Sequence, residues 1–179
     1  MNRALPRILV TILTLSLALM PAAKSNGQES VATPGRDALF HIERNKNANI
    51  VQYDAQLGQD GLLNSKQPVV VYWVRLAEQG QARELSWLQK KFAYGFKAKT
   101  NKDENTATLE MVRGLARTIM VKRDEGDYRA VADINGMKCY VDKLFIHARG
   151  SGLATRVNYI EWYGVSVENN EEQYERFYP

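Results

Sequence analysis

Asp127-Tyr128-Arg129-Ala130-Val131-Ala132-Asp133-Ile134-Asn135-Gly136-Met137-Lys138-Cys139-Tyr140-Val141-Asp142 is the stretch that decides the fold. Asn135-Gly136 at its centre is the strongest two-residue hairpin signal, because a type I′ turn needs positive φ at both positions. A turn centred there sets Asp133 opposite Lys138 and Arg129 opposite Asp142, two opposite-charge pairs. The alternate face then carries Ile134 with Met137, Ala132 with Cys139, and Ala130 with Val141. One register explains both faces, and a one-residue slip would invert both.

Working outward, strand signals continue in both directions. Downstream, 144–147 is apolar, and 155–167 reads as the last long strand, with Gly164 inside it. Between them, Arg149-Gly150-Ser151-Gly152 reads as a loop. Upstream, Asp124-Glu125-Gly126-Asp127 is a turn, and 106–113 and 115–122 are strands with Gly114 as a bend. Further back, 39–43 and 50–55 are strands joined by a polar loop over 44–49. Pro68 opens a run over 69–76 that is apolar on both faces, the mark of a buried central strand. One helix is expected over 82–94, where Leu85, Leu88 and Phe92 form an apolar stripe. Gly95 suits the left-handed position after it, and 97–105 reads as a loop. Many short strands and one helix, without β/α alternation, argue against a doubly wound sheet. The expected fold is mainly β: a single antiparallel β barrel or sandwich with one packed α-helix at about residues 82–94.

The first 25 residues read as a secretory signal peptide. Arg3 and Arg7 precede an apolar run over 8–20, Pro21 breaks it, and Ala22-Ala23-Lys24-Ser25 offers a cut after Ser25. The run is too short for a membrane span, which needs about 20 residues. The expected organisation is a signal peptide over 1–25, a flexible linker over 26–37, a β-rich domain over 38–168 and an acidic tail over 169–179. The expected location is the periplasm or the exterior, with no membrane span after cleavage. The chain has 24 Lys and Arg against 20 Asp and Glu, and the leader carries three of the cations and no acid. The mature charge is therefore (24 − 3) − 20 = +1. A nearly neutral chain lacks the basic face that nucleic-acid binding needs, so no nucleic-acid partner is expected. Cys139 is the only cysteine, so no intrachain disulfide forms.

Several segments are distinctive as a set. They are Phe40-His41-Ile42-Glu43-Arg44-Asn45-Lys46-Asn47-Ala48-Asn49-Ile50-Val51-Gln52-Tyr53, Pro68-Val69-Val70-Val71-Tyr72-Trp73, Glu84-Leu85-Ser86-Trp87-Leu88 with Ala93-Tyr94-Gly95-Phe96, and Tyr159-Ile160-Glu161-Trp162-Tyr163-Gly164. Together they resemble the family called domain of unknown function 4833, over roughly residues 38–168. The resemblance implies no activity, cofactor or catalytic residue.

Site readings therefore rest on the residues themselves. His41, His147 and Cys139 show no paired metal-ligand spacing, so no metal and no cofactor are expected. The hairpin register points Cys139 inward, where a thiol is inert. No nucleophile elbow, phosphate loop or dinucleotide fingerprint occurs. Glu43, Glu161 and Asp54 could supply a carboxylate pair, but twenty acids make chance pairs common. The candidate binding residues are His41, Glu43, Arg44, Lys46, Asn47 and Asn49, because alternation sets His41 and Glu43 on one face beside a loop dense in hydrogen-bonding groups. The plainer reading is that asparagines simply close turns. Tyr72 with Trp73 and Trp162 with Tyr163 should each divide between core and outside. The expected function is a non-catalytic exported β-domain that binds a ligand or an envelope protein. The alternatives are a hydrolase using His41, Glu43 and Arg44, and a β-barrel carrier of an apolar molecule.

Overall fold

The computed structural model describes residues 37–112, 117–150 and 154–179. The expected leader, most of the linker, the Gly114 bend and Ser151-Gly152 lie outside the described residues. Eleven strands dominate: β1 (Ala38–Arg44), β2 (Asn47–Ala55), β3 (Val69–Arg75), β4 (Gln81–Glu84), β5 (Phe96–Asn101), β6 (Thr106–Met111), β7 (Thr118–Asp124), β8 (Asp127–Ile134), β9 (Met137–Arg149), β10 (Arg156–Ser166) and β11 (Glu172–Phe177). A short helix, α1 (Trp87–Gln89), continues into a π-helical turn (Lys90–Tyr94).

The β8–β9 hairpin has the register the sequence dictates, from Ile134 opposite Met137 to Val131 opposite Tyr140. Asn135 and Gly136 have φ of 52° and 81°, and Lys138 pairs with Asp133 at 3.1 Å. The hairpin ladder ends at Val131 and Tyr140. Beyond that point the same edge of β9 takes β1 as a parallel neighbour, from His41 opposite Lys143 to Arg44 opposite Ile146. The other edge of β9 pairs with β10 along nearly its whole length. Strand β9 is thus a trunk from which two arms leave: β1-β2-β3-β4 and β8-β7-β6-β5.

The arms curl toward each other over one core. Tyr53 on β2 stacks on Phe40 at 4.4 Å, tilts against Phe96 on β5 at 6.3 Å, and donates its hydroxyl to the Tyr94 carbonyl at 2.7 Å. Tyr53, Leu109, Ile119, Ile134, Leu144, Ile160 and Trp162 are fully buried between the arms. Cys139 lies among them opposite Ala132, and burial pushes its thiol pKa up.

Several expectations are corrected. The sheet is mainly but not wholly antiparallel, and it is a curled half-barrel, neither a closed barrel nor a sandwich. The arms end in β4 and β5, which do not pair with each other. The helix begins at Trp87, not at 82, because Gln81–Glu84 folds back on β3 as a strand. Ser86 and Gln89 form a capping box that fixes this start: the Ser86 hydroxyl accepts from Gln89 N at 3.3 Å, and the Gln89 side chain accepts from Ser86 N at 2.9 Å. The supposed stripe splits, with Leu85 buried but Leu88 and Phe92 56% and 42% exposed. Gly95 is not left-handed. Its backbone is extended, and a Cβ there would lie 1.9 Å from the Lys90 carbonyl oxygen, so the π turn admits only glycine. The loop expected over 97–105 is mostly β5, which lacks apolar alternation because it is an edge strand with Lys97 and Lys99 exposed. The loop expected over 44–49 shrinks to a turn at Asn45-Lys46. The acidic tail contains β11, whose charges meet partners far away in sequence.

Candidate functional site

Alternation along β1, β9, β10 and β11 builds a polar outer face over the apolar inner one. Across the trunk, His41 lies opposite Lys143, Lys143 opposite Tyr163, and Tyr163 opposite Tyr174. The next row carries Glu43, Phe145, Glu161 and Arg176. These side chains form one linked network. Glu43 accepts from His41 Nε2 at 3.2 Å and from Lys143 Nζ at 3.2 Å. The Lys143 ammonium also lies 5.2 Å from the centre of the Tyr163 ring. The Tyr163 hydroxyl donates to Glu161 at 2.9 Å, and Tyr174 donates to the same carboxylate at 2.9 Å. Arg176 completes it with two bonds, at 3.0 Å from Nε and 2.6 Å from Nη2. The Arg176 guanidinium then covers Tyr159, whose ring also stacks on that of His147 at 4.7 Å and meets that of Tyr178 at 6.2 Å.

This network decides the protonation states. Burial alone would raise the pKa of Glu43, but the bonds from His41 and Lys143 outweigh it and hold the carboxyl below its ordinary value. Burial likewise opposes ionisation of Glu161, and the donors Arg176, Tyr163 and Tyr174 reverse the balance. Burial, then the hydrogen bond to Glu161, pushes Tyr163 up to about 12. Both carboxylates are therefore ionised acceptors at neutral pH.

The six sequence-derived residues separate. His41 and Glu43 share the outer face as alternation requires, and they touch. Arg44 points to the opposite face. Its guanidinium sits 5.3 Å from the Trp73 ring centre and 5.4 Å from that of Tyr94, with its Nε buried. His41, Glu43 and Arg44 therefore do not converge. Lys46 and Asn47 are exposed at the hairpin tip, and Asn49 is half-buried on β2. Asn45 beside them has a structural job: its side chain accepts from Ala148 N at 3.0 Å and donates to Ala148 O at 3.2 Å, tying the tip to β9. The aromatic pairs divide as expected: Trp162 is in the core while Tyr163 bonds to Glu161, and Trp73 packs on Tyr94 while the Tyr72 hydroxyl donates to Asp54 at 2.5 Å.

Where the arms part along β9 a cleft opens, with a volume of about 600 Å³. Its walls carry His41, Gln52, Asp124, Arg129, Tyr140 and Asp142. Tyr140 donates to Asp124, and that bond, ahead of burial, raises the tyrosine pKa. Arg129 lies over the Tyr140 ring at 5.6 Å; the pairings of Arg129 with Asp142 and of Ala130 with Val141 that a continued hairpin would impose are not made, because the ladder ends at Val131 and Tyr140 and β9 takes β1 from Lys143 onward. Gln52, though on a polar wall, is buried and donates to Asp54 at 2.9 Å. The cleft offers carboxylates and a guanidinium within one concavity, a mixed set suited to a ligand rich in both donors and acceptors.

Sequence reasoning missed Lys143, Arg129, Tyr140, Tyr174 and Arg176. The alternation Lys143-x-Phe145-x-His147 and Tyr159-x-Glu161-x-Tyr163 was a usable signal for a polar outer face. The parallel β1–β9 pairing that joins His41 to Lys143 leaves no local mark. Among the described residues, no group of three His, Cys, Asp or Glu side chains could hold a metal ion. No helix of the described residues is long and apolar enough to cross a membrane.

The chain belongs to the family described as Domain of unknown function (DUF4833), whose model matches residues 40–176. No curated protein and no solved structure matches it. The matched span includes β11 through Arg176, so it takes in the whole outer-face network.

Proposed function

We propose that this protein is a non-catalytic exported β-domain that binds a polar ligand or an envelope partner in the cleft where β1 and β8 part. The observation that carries this reading is the cleft itself, with His41, Gln52, Arg129, Tyr140 and Asp142 on its walls. Two further features support binding over chemistry. The Glu43 carboxyl, bonded to the cleft residue His41, is held low in pKa, whereas a general acid needs its pKa raised toward the working pH. His41 is engaged with Glu43, and Glu43 with Lys143, so the charges neutralise one another. The filled interior favours a surface site over an internal lumen.

A ligand that binds the folded state raises the melting temperature by mass action. The test is a thermal-shift screen of sugars, sugar acids, amino acids and short peptides against the full chain. At least one class should raise Tm, and Arg129→Ala should abolish the rise while leaving the unliganded Tm nearly unchanged. Turnover of any compound, lost in Glu43→Gln, would establish the hydrolase reading instead.

A further inference from the structure

The short helical segment that links β4 to β5 is anchored to the domain from one side. Gln89, which caps its start, accepts from Trp73 Nε1 at 3.3 Å, and Leu85 before it and Tyr94 at its end are buried. These anchors fix the turn and leave its other side outward. There Trp87, Leu88 and Phe92 are 66%, 56% and 42% exposed. Helical spacing places the three with Lys91 on one arc of the segment. The Trp87 and Phe92 rings meet edge to face at 6.4 Å, and the Lys91 ammonium rests 4.7 Å and 5.3 Å from their centres. Large apolar side chains grouped on one fixed projection, outside the core, mark a surface of interaction.

The charges select the occupant. Arg83 and Lys90 flank the turn with Glu84, which is bonded to Lys90 at 2.5 Å. Strand β5 leaves the turn directly and adds exposed Lys97 and Lys99, with Glu110 opposite Lys97 on β6. Arg83, Lys90, Lys91, Lys97 and Lys99 thus surround the apolar group, against the carboxylates of Glu84 and Glu110. A protein groove that received the rings would need acids placed to match each cation. An anionic lipid surface meets them in any arrangement. Projecting Trp, Leu and Phe beside lysines also suit the two layers of a bilayer boundary: the rings sit at headgroup depth while the long lysine side chains reach back to the phosphates.

We propose that this turn is a membrane-surface anchor, which inserts Trp87, Leu88 and Phe92 into the headgroup layer of an anionic bilayer and sets Lys91 and Lys97 against lipid phosphates. It lies on the surface and does not span. The anchor is separate from the polar cleft and does not depend on it.

The probe is a vesicle of equal parts phosphatidylglycerol and phosphatidylcholine, added to the full chain and followed by tryptophan emission and co-sedimentation. Trp87 emission should shift to the blue and be quenched by lipids brominated on their acyl chains. Vesicles of phosphatidylcholine alone should bind about tenfold more weakly or worse. Leu88→Ser combined with Phe92→Ser keeps Trp87 as the reporter and should weaken binding by a similar factor, with Tm within a few degrees. Lys91→Gln combined with Lys97→Gln should do the same and flatten the difference between the two vesicles. Both variants leave the apolar run over 8–20 unchanged, so binding carried by that run would not respond to them. Equal binding to the two vesicles, undiminished binding of either variant, or no quenching of Trp87 would each overturn the proposal. Concentration-dependent self-association that buries Trp87 without lipid would assign the patch to a second copy and overturn it as well.

Discussion

The two faces of the β1–β9–β10–β11 sheet are made by the same strands and differ in almost every physical respect. The inner face presents Ile42, Leu144, Ile160 and Trp162, all essentially inaccessible to water. The outer face presents His41, Glu43, Lys143, Tyr163, Glu161 and Arg176, joined by charge-assisted bonds. On the inner face stability comes from volume and apolar area, so each atom removed is felt. On the outer face it comes from bonds that also compete with water, so single losses cost less. Glu161 is the exception that links them: it faces outward yet is only 7% exposed, because three donors cover it. Under the proposed binding role, a polar face this well ordered needs little further ordering when a ligand arrives.

Substitutions can break this contrast or sharpen it. The largest effect is expected for Trp162→Ala, at about 3–5 kcal/mol, since it opens a cavity at the centre of the core. A loss under about 1 kcal/mol in denaturant unfolding would mean that the inner face is not the stabilising one. Next comes Glu161→Gln, at about 2 kcal/mol, because Arg176 and two tyrosines lose a charged acceptor. The same residue sets a pH dependence. Its folded pKa lies below its ordinary value of 4.5, so its contribution is complete above that pH and is lost as pH falls through the folded pKa. Glu43 adds in the same direction. Acid titration of stability should therefore be shallower in Glu161→Gln than in the native chain; matching slopes would remove Glu161 from the account.

Smaller effects separate the residues that sequence pattern grouped together. Arg44→Ala should cost about 1–2 kcal/mol through the lost stacking on Trp73 and Tyr94. Lys46→Ala, at the exposed hairpin tip, should change stability by less than about 0.5 kcal/mol. Thermal unfolding of the two variants side by side decides this. Equal effects would contradict the assignment of Arg44 to the inner face.

The legible parts of the molecule are those whose cause is local. Asn135-Gly136 fixed a hairpin because turn chemistry, charge pairing and inward alternation agreed within sixteen residues. The membership of His41 and Glu43 on one face followed from the pleat alone. The misread segments share a different trait. Over 82–94 an apolar spacing of three and four residues mimicked a helix stripe, and tertiary pairing with β3 turned its first part into a strand. The capping box at Ser86 and Gln89 was visible in sequence and would have placed the start correctly. β5 was hidden because an edge strand has no need of apolar residues on its outer side. The fork on β9, and with it the cleft, depends on a parallel pairing of residues about a hundred positions apart, which no periodicity can announce.

The proposed binding place is the polar cleft at the fork. The most direct measurement is an amide NMR map of the full chain titrated with the low-molecular-weight fraction of envelope extract, repeated on Arg129→Ala. Shifts should concentrate at His41, Gln52, Arg129 and Tyr140 in the native chain and be lost in the variant, with the core resonances of Leu144 and Trp162 unmoved in both. Shifts that spare the cleft, or that persist unchanged in Arg129→Ala, would contradict it.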